Sequence, residues 1–564
     1  MQAITLAIGK QGIDFFTQHY LADALSALLK KMTPPDKIVP VPNFTGGVTG
    51  DSYDYSNIKI NLTGGSLLNF SAALNKVVQG VGSDGKTPVF NVNMQALNFQ
   101  AQYNWVETFH YIHTYITIPF GSPVWHHDPG DSSNRFSYSP GFGQLDVAIV
   151  IQFSFNKDKN QWEFTVQKAM PNASNISANI PGASILQDQD YSCTKNHVDD
   201  ATAQTIDAID FATPVNQSLS GIVQTIPGSG NLGNGIVYDF STGDSGVVFP
   251  NNKGIQIGVK GGASYQGASF PPDTGKPLAL PLPPGDDDAH HLVMYVSNYE
   301  VDALNWAFFK ADKLNAVVNA DDLKNDSYVL KVKTYVQSCP ELKPYSTRAM
   351  QAQITPHAAP TTSFQVVYQL TAAVMAALKS SGSLPTDTYN NLNGLQGNNY
   401  VSVESLETDL SASGIEQKYF STIEQAARNM GMVVTHNIDY TLIIQDFQPT
   451  QPTIVFNVQR TDILSNPALG LGGDKNQAQT LQFDFINVSW ASTFVSSSIP
   501  KLNAAAFSGL WLNAGEPQYD KLMADLGKNG VPLPIMSGFQ FDFDNAQVSV
   551  QENYISILAN VMYK

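Results

Sequence analysis

The feature that most constrains this chain is an apolar period of two, sustained well beyond the length of an ordinary strand. Residues 143–156 read GQLDVAIVIQFSFN, so Leu145, Val147, Ile149, Ile151, Phe153 and Phe155 fall on one face of an extended backbone. Similar stretches predict strands over 91–120, 161–168, 327–339, 363–374, 433–447, 452–459, 480–490 and 539–563. Runs of about 10–14 residues exceed the usual ~5–6, and at ~3.3 Å per residue they reach roughly 33–46 Å. Long one-sided strands predict tall, strongly curved antiparallel sheets wrapped around something apolar.

One segment breaks that period. Residues 11–31 read QGIDFFTQHYLADALSALLKK, and Ile13, Phe16, Tyr20, Leu21, Ala24, Leu25 and Leu28 follow helical spacing. Lys30 and Lys31 suit the negative end of a helix dipole, and Pro34 and Pro35 stop the helix. The spacing predicts a long amphipathic helix.

The chain has 564 residues, more than one core usually accommodates. Apolar residues make up 43% and charged residues 14%, which excludes a disordered chain or a coiled coil. A formal charge of −17 repels phosphate backbones, so nucleic acid is not an expected partner. The opening MQAITLAIGK alternates like a strand and lacks the basic head and apolar core of a signal peptide. Two cysteines, Cys193 and Cys339, allow one long-range bridge or two free thiols.

The proline-rich stretch SFPPDTGKPLALPLPPG over 269–285 reads as an extended connector. On either side lie LADALSAL (Leu21–Leu28) and KADKLNAV (Lys310–Val317), each after a short strand and an aromatic-rich helix start. In the second copy Ser297 and Glu300 form a candidate capping box, followed by Val301, Leu304 and Phe308 on an apolar face. Residues 387–432 read as a helical insertion. The expected organisation is therefore an N-terminal domain over 1–250, a connecting strand and linker over 251–290, and a C-terminal domain over 291–564.

Fragments that imitate enzyme motifs read more simply as structure. Gly243–Gly246 (GDSG) lacks the histidine base and orienting aspartate that a serine nucleophile needs, and reads as a β-turn. Gly228, Gly230 and Gly233 fit G-x-G-x-x-G but lead into Asn-Gly and a strand, so a loop is expected. His126, His127 and Asp128, and Asp286–Asp288 with His290 and His291, read as solvated loops. No catalytic residue, resident metal or cofactor is expected. The apolar faces leave two readings open: an ordinary core, or a slot that binds acyl chains.

The start of the chain resembles the bactericidal/permeability-increasing protein family at Gln11, Gly12, Ile13, Asp14 and Phe15. Its end is similar at Gly530, Pro532, Leu533, Pro534 and the Asn560–Tyr563 stretch, with Asn560 in place of an acid. The centre, GIQIGVKGGASYQG then HLVMYVSNYEVDALNWA, resembles the family too. The resemblance implies an α+β fold of two tandem tubular domains. In each, a highly curved antiparallel sheet wraps a long helix, and a central sheet joins the two. It implies that Ile13, Phe16, Tyr20, Leu21 and Leu25 line one lipid pocket, and Val301, Leu304 and Phe308 the other. It also implies an extracellular protein that carries a phospholipid or other acyl-chain lipid and touches membranes transiently.

Two departures qualify that. The family's disulfide within the first domain has no counterpart, because Cys193 has no partner in that half. The family's bactericidal member is basic and grips lipopolysaccharide, whereas this chain is acidic and is expected to carry other lipids. A second reading keeps the fold with filled slots, as a partner-binding accessory like the lipid-binding-fold proteins encoded beside clostridial neurotoxins. A third, hydrolysis through Ser245, predicts turnover abolished by Ser245→Ala.

Overall fold

In the computed structural model the described residues are 2–16, 35–48, 50–68, 72–81, 88–118, 123–137, 139–179, 199–200, 202–223, 228–248, 254–270, 280–283, 289–465, 469–472, 479–507, 509–534, 539–542 and 544–563. The chain opens with β1 (Ile4–Gly9), buried along nearly its whole length, and passes directly into α1 (Lys10–Phe16). The remainder of the expected first helix, with Tyr20, Leu21 and Leu25, lies outside the described residues.

An eight-stranded antiparallel sheet follows, dominated by β2 (Asp51–Leu68), β3 (Pro88–Thr117), β4 (Val124–Ser137), β5 (Ser139–Asn156) and β6 (Gln161–Asn179). β5 and β6 are longer than the stretches expected over 143–156 and 161–168, and β3 runs for 30 residues, about the span expected over 91–120. The β5 pattern holds: Leu145, Val147, Ile149, Ile151 and Phe153 are buried and their alternates are half-buried. Register shifts near Ser56, Thr63 and Leu97 insert bulges that bend the sheet. The helix α2 (Ala212–Val223) covers β6, and Val215 belongs to the same apolar cluster as Trp162, Phe164 and Val166.

Two strands then close the first half, β7 (Thr242–Val248) and β8 (Gly254–Val259). Beyond the linker come β9 (Leu292–Val296) and α3 (Asn298–Lys310). A seven-stranded sheet includes β10 (Met350–Pro356) and β11 (Thr361–Gln369). Four helices follow: α4 (Ala372–Ser381), α5 (Thr386–Asn393), α6 (Val403–Ala412) and α7 (Phe420–Ala427). These helices bury Leu378, Leu392, Leu406, Leu410 and Ile423 in a core of their own. The helical block thus spans 372–427, and residues 428–432, read as its end, open a strand instead.

That strand is β12 (Arg428–Ile444). It pairs along one edge with β10 and β11 in succession, and along the other with β13 (Thr453–Ser465), which pairs with β14 (Ile486–Ser497). The helix α8 (Glu516–Asn529) packs on this sheet, and β15 (Gln547–Val550) and β16 (Ile555–Ala559) follow.

The six-stranded central sheet runs β7-β8-β1-β9-β16-β15. Strands β1 and β9 each precede a helix and pair antiparallel at the centre, with Leu6 opposite Met294. Outside them sit β8 and β16, then β7 and β15, so the two halves contribute equivalent strands about a pseudo-two-fold axis. The residues that carry the resemblance converge beside this axis. Any side chain at Gly12 would collide with the His291 carbonyl, the Phe15 ring stacks on His291 at 4.9 Å, and Asn560 Oδ1 accepts the His291 N–H at 3.0 Å.

Several expectations are corrected. Residues 327–339 form 3-10 turns rather than a strand, because Val329 and Val332 are buried three residues apart and Asn319 donates its backbone N–H to Asp322 to start the turn. Residues 539–563 are four short strands. The likeness between Leu21–Leu28 and Lys310–Val317 falls in the second copy on a helix end, where Asp312 takes a left-handed conformation (φ 55°). The first copy lies outside the described residues. The Ser297–Glu300 capping box does not form. Ser297 makes no side-chain cap, and Glu300 turns inward to accept the N–H of Gly262, itself held at φ +101°. GDSG is part of the bulged strand β7 rather than a turn, and His126–Asp128 lie on β4 rather than in a loop. The G-x-G-x-x-G segment is the first strand of a hairpin turned by Asn234 and Gly235, both at positive φ, so the glycine-rich loop is a strand. Cys339 is a buried free thiol.

Candidate ligand-binding interior

The residues expected to line slots are partly brought together. Ile13, Val301 and Leu304 are buried in one continuous apolar cluster that runs through the central sheet, and Phe308 is half-buried against it. Phe16 is the last residue of α1, and its side chain is outside the description. On the far side of α3 the same cluster includes Met432, Val434, Leu464, Phe483 and Leu533. The interior is therefore apolar and shared between the halves, with Leu145, Val147 and Ile149 in the same cluster.

The seam carries one buried carboxyl. Burial pushes Glu300 up to about 7, the Gly262 N–H opposes this, and nearby Asp239 adds to the rise. Two residues on, burial raises Asp302 to about 6, although its Oδ1 accepts from both the backbone and the hydroxyl of Thr362 at 2.7 Å.

At the other end of the second sheet the interior is filled by the protein itself. Trp511, Tyr519 and Met523 reach from α8 and the turn before it onto Tyr440, Phe456 and Val458. Within that packing lies a charged group. Arg460 bonds Asp462 through Nε and Nη2 and bonds Asp520 through Nη1, and His436 Nε2 lies 2.9 Å from Asp462 Oδ2. His436 Nδ1 is 3.0 Å from the Tyr519 hydroxyl. Burial alone would raise Asp462, but His436 and Arg460 beside it hold its carboxyl below the usual range. His436, Arg460, Asp462 and Tyr519 are all buried from solvent, so no substrate reaches them. The arrangement fixes α8 to the sheet.

A second feature that sequence reasoning missed is a cleft of about 610 Å³ between α6 and β14. Asn398, Thr408, Asp409, Asn487 and Ser489 are among its lining residues. Its residues look like ordinary loop composition, and no motif announces it. Among the described residues, no three His, Cys, Asp or Glu side chains converge as metal ligands, and no helix is long and apolar enough to cross a membrane.

No family model matches the chain, and no curated protein matches it. Solved structures similar to it include lipopolysaccharide binding protein, at 14% identity over 100% of this chain and 99% of that one, with a TM-score of 0.44. P47 from Clostridium botulinum A2 aligns at 8% identity over 99% and 97%, with a TM-score of 0.22. Takeout 1 from Epiphyas postvittana aligns at 11% identity over 32% and 73%, with a TM-score of 0.12. Values this low assign neither a ligand nor an activity.

Proposed function

We propose that the protein is a non-enzymatic lipid binder that holds the acyl chains of a phospholipid or similar amphiphile between helix and sheet in two tandem tubular units. The observation that carries this reading is the central sheet. Each half supplies a strand that leads into a helix, and each half's own long-stranded sheet turns an apolar face inward. The family resemblance at Gly12, Phe15 and Asn560 supports it, since those residues meet at His291. Desolvation supplies the driving force: each buried CH₂ contributes roughly 0.8 kcal/mol, so a chain of about 16 carbons yields on the order of 10 kcal/mol before ordering costs.

A second reading, a partner-binding accessory of the same fold with filled slots, is favoured by one observation. Trp511, Tyr519 and the Arg460 group occupy the second interior. Native mass spectrometry and lipid extraction of the purified protein separate the two. The lipid reading expects a stoichiometric amphiphile and uptake of labelled phospholipid. Recovery of neither, together with partner capture that depends on residues 372–427, establishes the accessory instead.

A further inference from the structure

The cleft of about 610 Å³ beside α6 is bordered by two strand edges. One is the short strand Asn399–Tyr400, which pairs with β11 and, among the described residues, with no other strand. The other is the start of β14, which pairs with β13 alone among them. Residues 397–401 and 486–489 line the cleft consecutively. Side chains alternate along a strand, so consecutive lining residues mean that the backbone edge itself borders the space. Nor does β14 carry the charges or prolines that usually blunt an edge of its length: its 12 residues read INVSWASTFVSS. It bulges at Val488 and Val495, and the first bulge falls in the cleft, where it leaves one residue out of the β13 ladder.

The side chains lining the cleft are largely engaged with one another. Asn399 donates to the Gly397 carbonyl at 3.1 Å and accepts from Gln369 at 2.8 Å, and Asn398 donates to the Tyr400 hydroxyl at 3.2 Å. On α6, Thr408 donates to the Glu404 carbonyl at 2.8 Å, and Ser405 pairs with Ser402 at 3.2 Å. A hydroxyl-rich small molecule would find few free donors here. What is left over is acceptors. Tyr400 donates to Oδ2 of Asp409 at 3.0 Å, and among the described residues no donor reaches Oδ1. Asn487 donates its amide to Glu516, while Asn487 Oδ1 and Glu516 Oε2 are buried with no partner among the described residues. None of the lining residues is Lys, Arg or His. Open backbone edges with spare acceptors and a carboxylate match an extended chain that bears a cation.

We propose that an extended segment of a partner protein adds as a strand to the edge of β14 in this cleft, and that a lysine or arginine of the segment faces Asp409 and Asn487. Backbone pairing supplies the affinity of such an addition and the side-chain contacts its selectivity. The four residues 486–489 offer a pairing length of about 13 Å. A space of this volume, with α6 standing across it, admits a single strand rather than the sheet edge of a second copy. Charge points the same way, because two copies each carry a formal −17 whereas a basic segment is attracted. The cleft lies outside the apolar interior, so the addition requires neither a bound acyl chain nor filled slots.

The test selects a phage-displayed library of random octapeptides on the immobilised full chain, and measures fluorescein-labelled copies of the enriched peptides by anisotropy. The enriched sequences should carry lysine or arginine among β-branched residues. Ser489→Trp and Thr408→Trp, which fill the cleft from its two walls, should each abolish saturable binding, with circular dichroism checking that both variants fold. Asp409→Asn should weaken the basic peptide about two- to fivefold and leave unchanged a copy with glutamine in place of the basic residue. Methylating two alternate backbone amides of the peptide should weaken it about tenfold or more. Isotope-edited infrared spectra of a ¹³C=O-labelled peptide should show a strand band on binding. No enrichment over the Ser489→Trp chain, enrichment of acidic peptides, or full affinity of the methylated peptide overturns the proposal. So does a dimer that Ser489→Trp abolishes while no peptide binds.

Discussion

Asn560 reaches across 269 positions of sequence to accept the backbone N–H of His291 through its Oδ1 at 3.0 Å. The His291 ring in turn accepts the N–H of Val561 on Nδ1 at 3.2 Å and stacks on Phe15. Asn560 thus locks the start of β9 against α1. Asn560→Leu leaves that amide unpaired and is expected to cost about 1–3 kcal/mol in urea unfolding, whereas Asn560→Asp keeps an acceptor and costs less. Gly12→Val, which drives a side chain into the His291 carbonyl, should destabilise the same corner.

The Arg460–Asp462 pair should behave as a unit. Asp462→Asn strips a buried guanidinium of its main partner and is expected to cost about 3–5 kcal/mol. Replacing both, as Arg460→Met/Asp462→Leu, should cost less than the sum of the single changes in a double-mutant cycle. Because the folded carboxyl is held below its usual range, its stabilising effect is present above the unfolded value and is lost as pH falls. The gap between Asp462→Asn and the unaltered chain should therefore shrink when denaturation is repeated near pH 3.

Glu300 has the opposite sign. Its folded value, raised to about 7, means the native state keeps a proton that the unfolded chain releases above its ordinary value near 4.5. Its contribution is complete below that ordinary value and is lost as pH rises towards about 7. Glu300→Gln, which stays neutral, should leave the melting temperature nearly unchanged at pH 4.5 and raise it relative to the unaltered chain at pH 8. A stabilising effect at pH 4.5 instead would contradict the placement.

Trp511 is buried between Tyr440 and Tyr519. Trp511→Ala should cost about 3–5 kcal/mol and leave a hollow. Binding of a small apolar dye by the variant, with none by the unaltered chain, is the expected readout, because an apolar cavity of this kind stays dry.

Local pattern carried much of this fold. Leu145 to Phe153 alternate in sequence and are buried in the same rhythm. Other parts were less visible for definable reasons. The region 320–345 contains strand-forming residues, yet Val329 and Val332 satisfy a three-residue period instead, and the start signal at Asn319 and Asp322 decides between them. The charged group in the second interior left a trace that was passed over: Arg460 and Asp462 stand in phase with the buried Ile454, Phe456 and Val458. An in-phase charge on an inward face calls for a partner, here on α8 and β12. The union of the central sheet had no local signature, since Leu6 meets Ile257 and Met294 only by long-range pairing. Of the expected slot residues, Ile13, Val301 and Leu304 are buried, but burial alone does not separate a lining from a plug.

The placement of β1 also governs the timing of folding. Its two neighbours are residues 254–259 and 292–296, far downstream of it, and the sheet is completed only by residues 547–559. On the ribosome, Ile4 to Gly9 must remain an unmatched apolar ribbon while roughly 250 further residues are synthesised, and unpaired strands of that kind invite association with other chains. A chaperone that shields this nascent strand should therefore raise the soluble yield of this protein more than one acting after release.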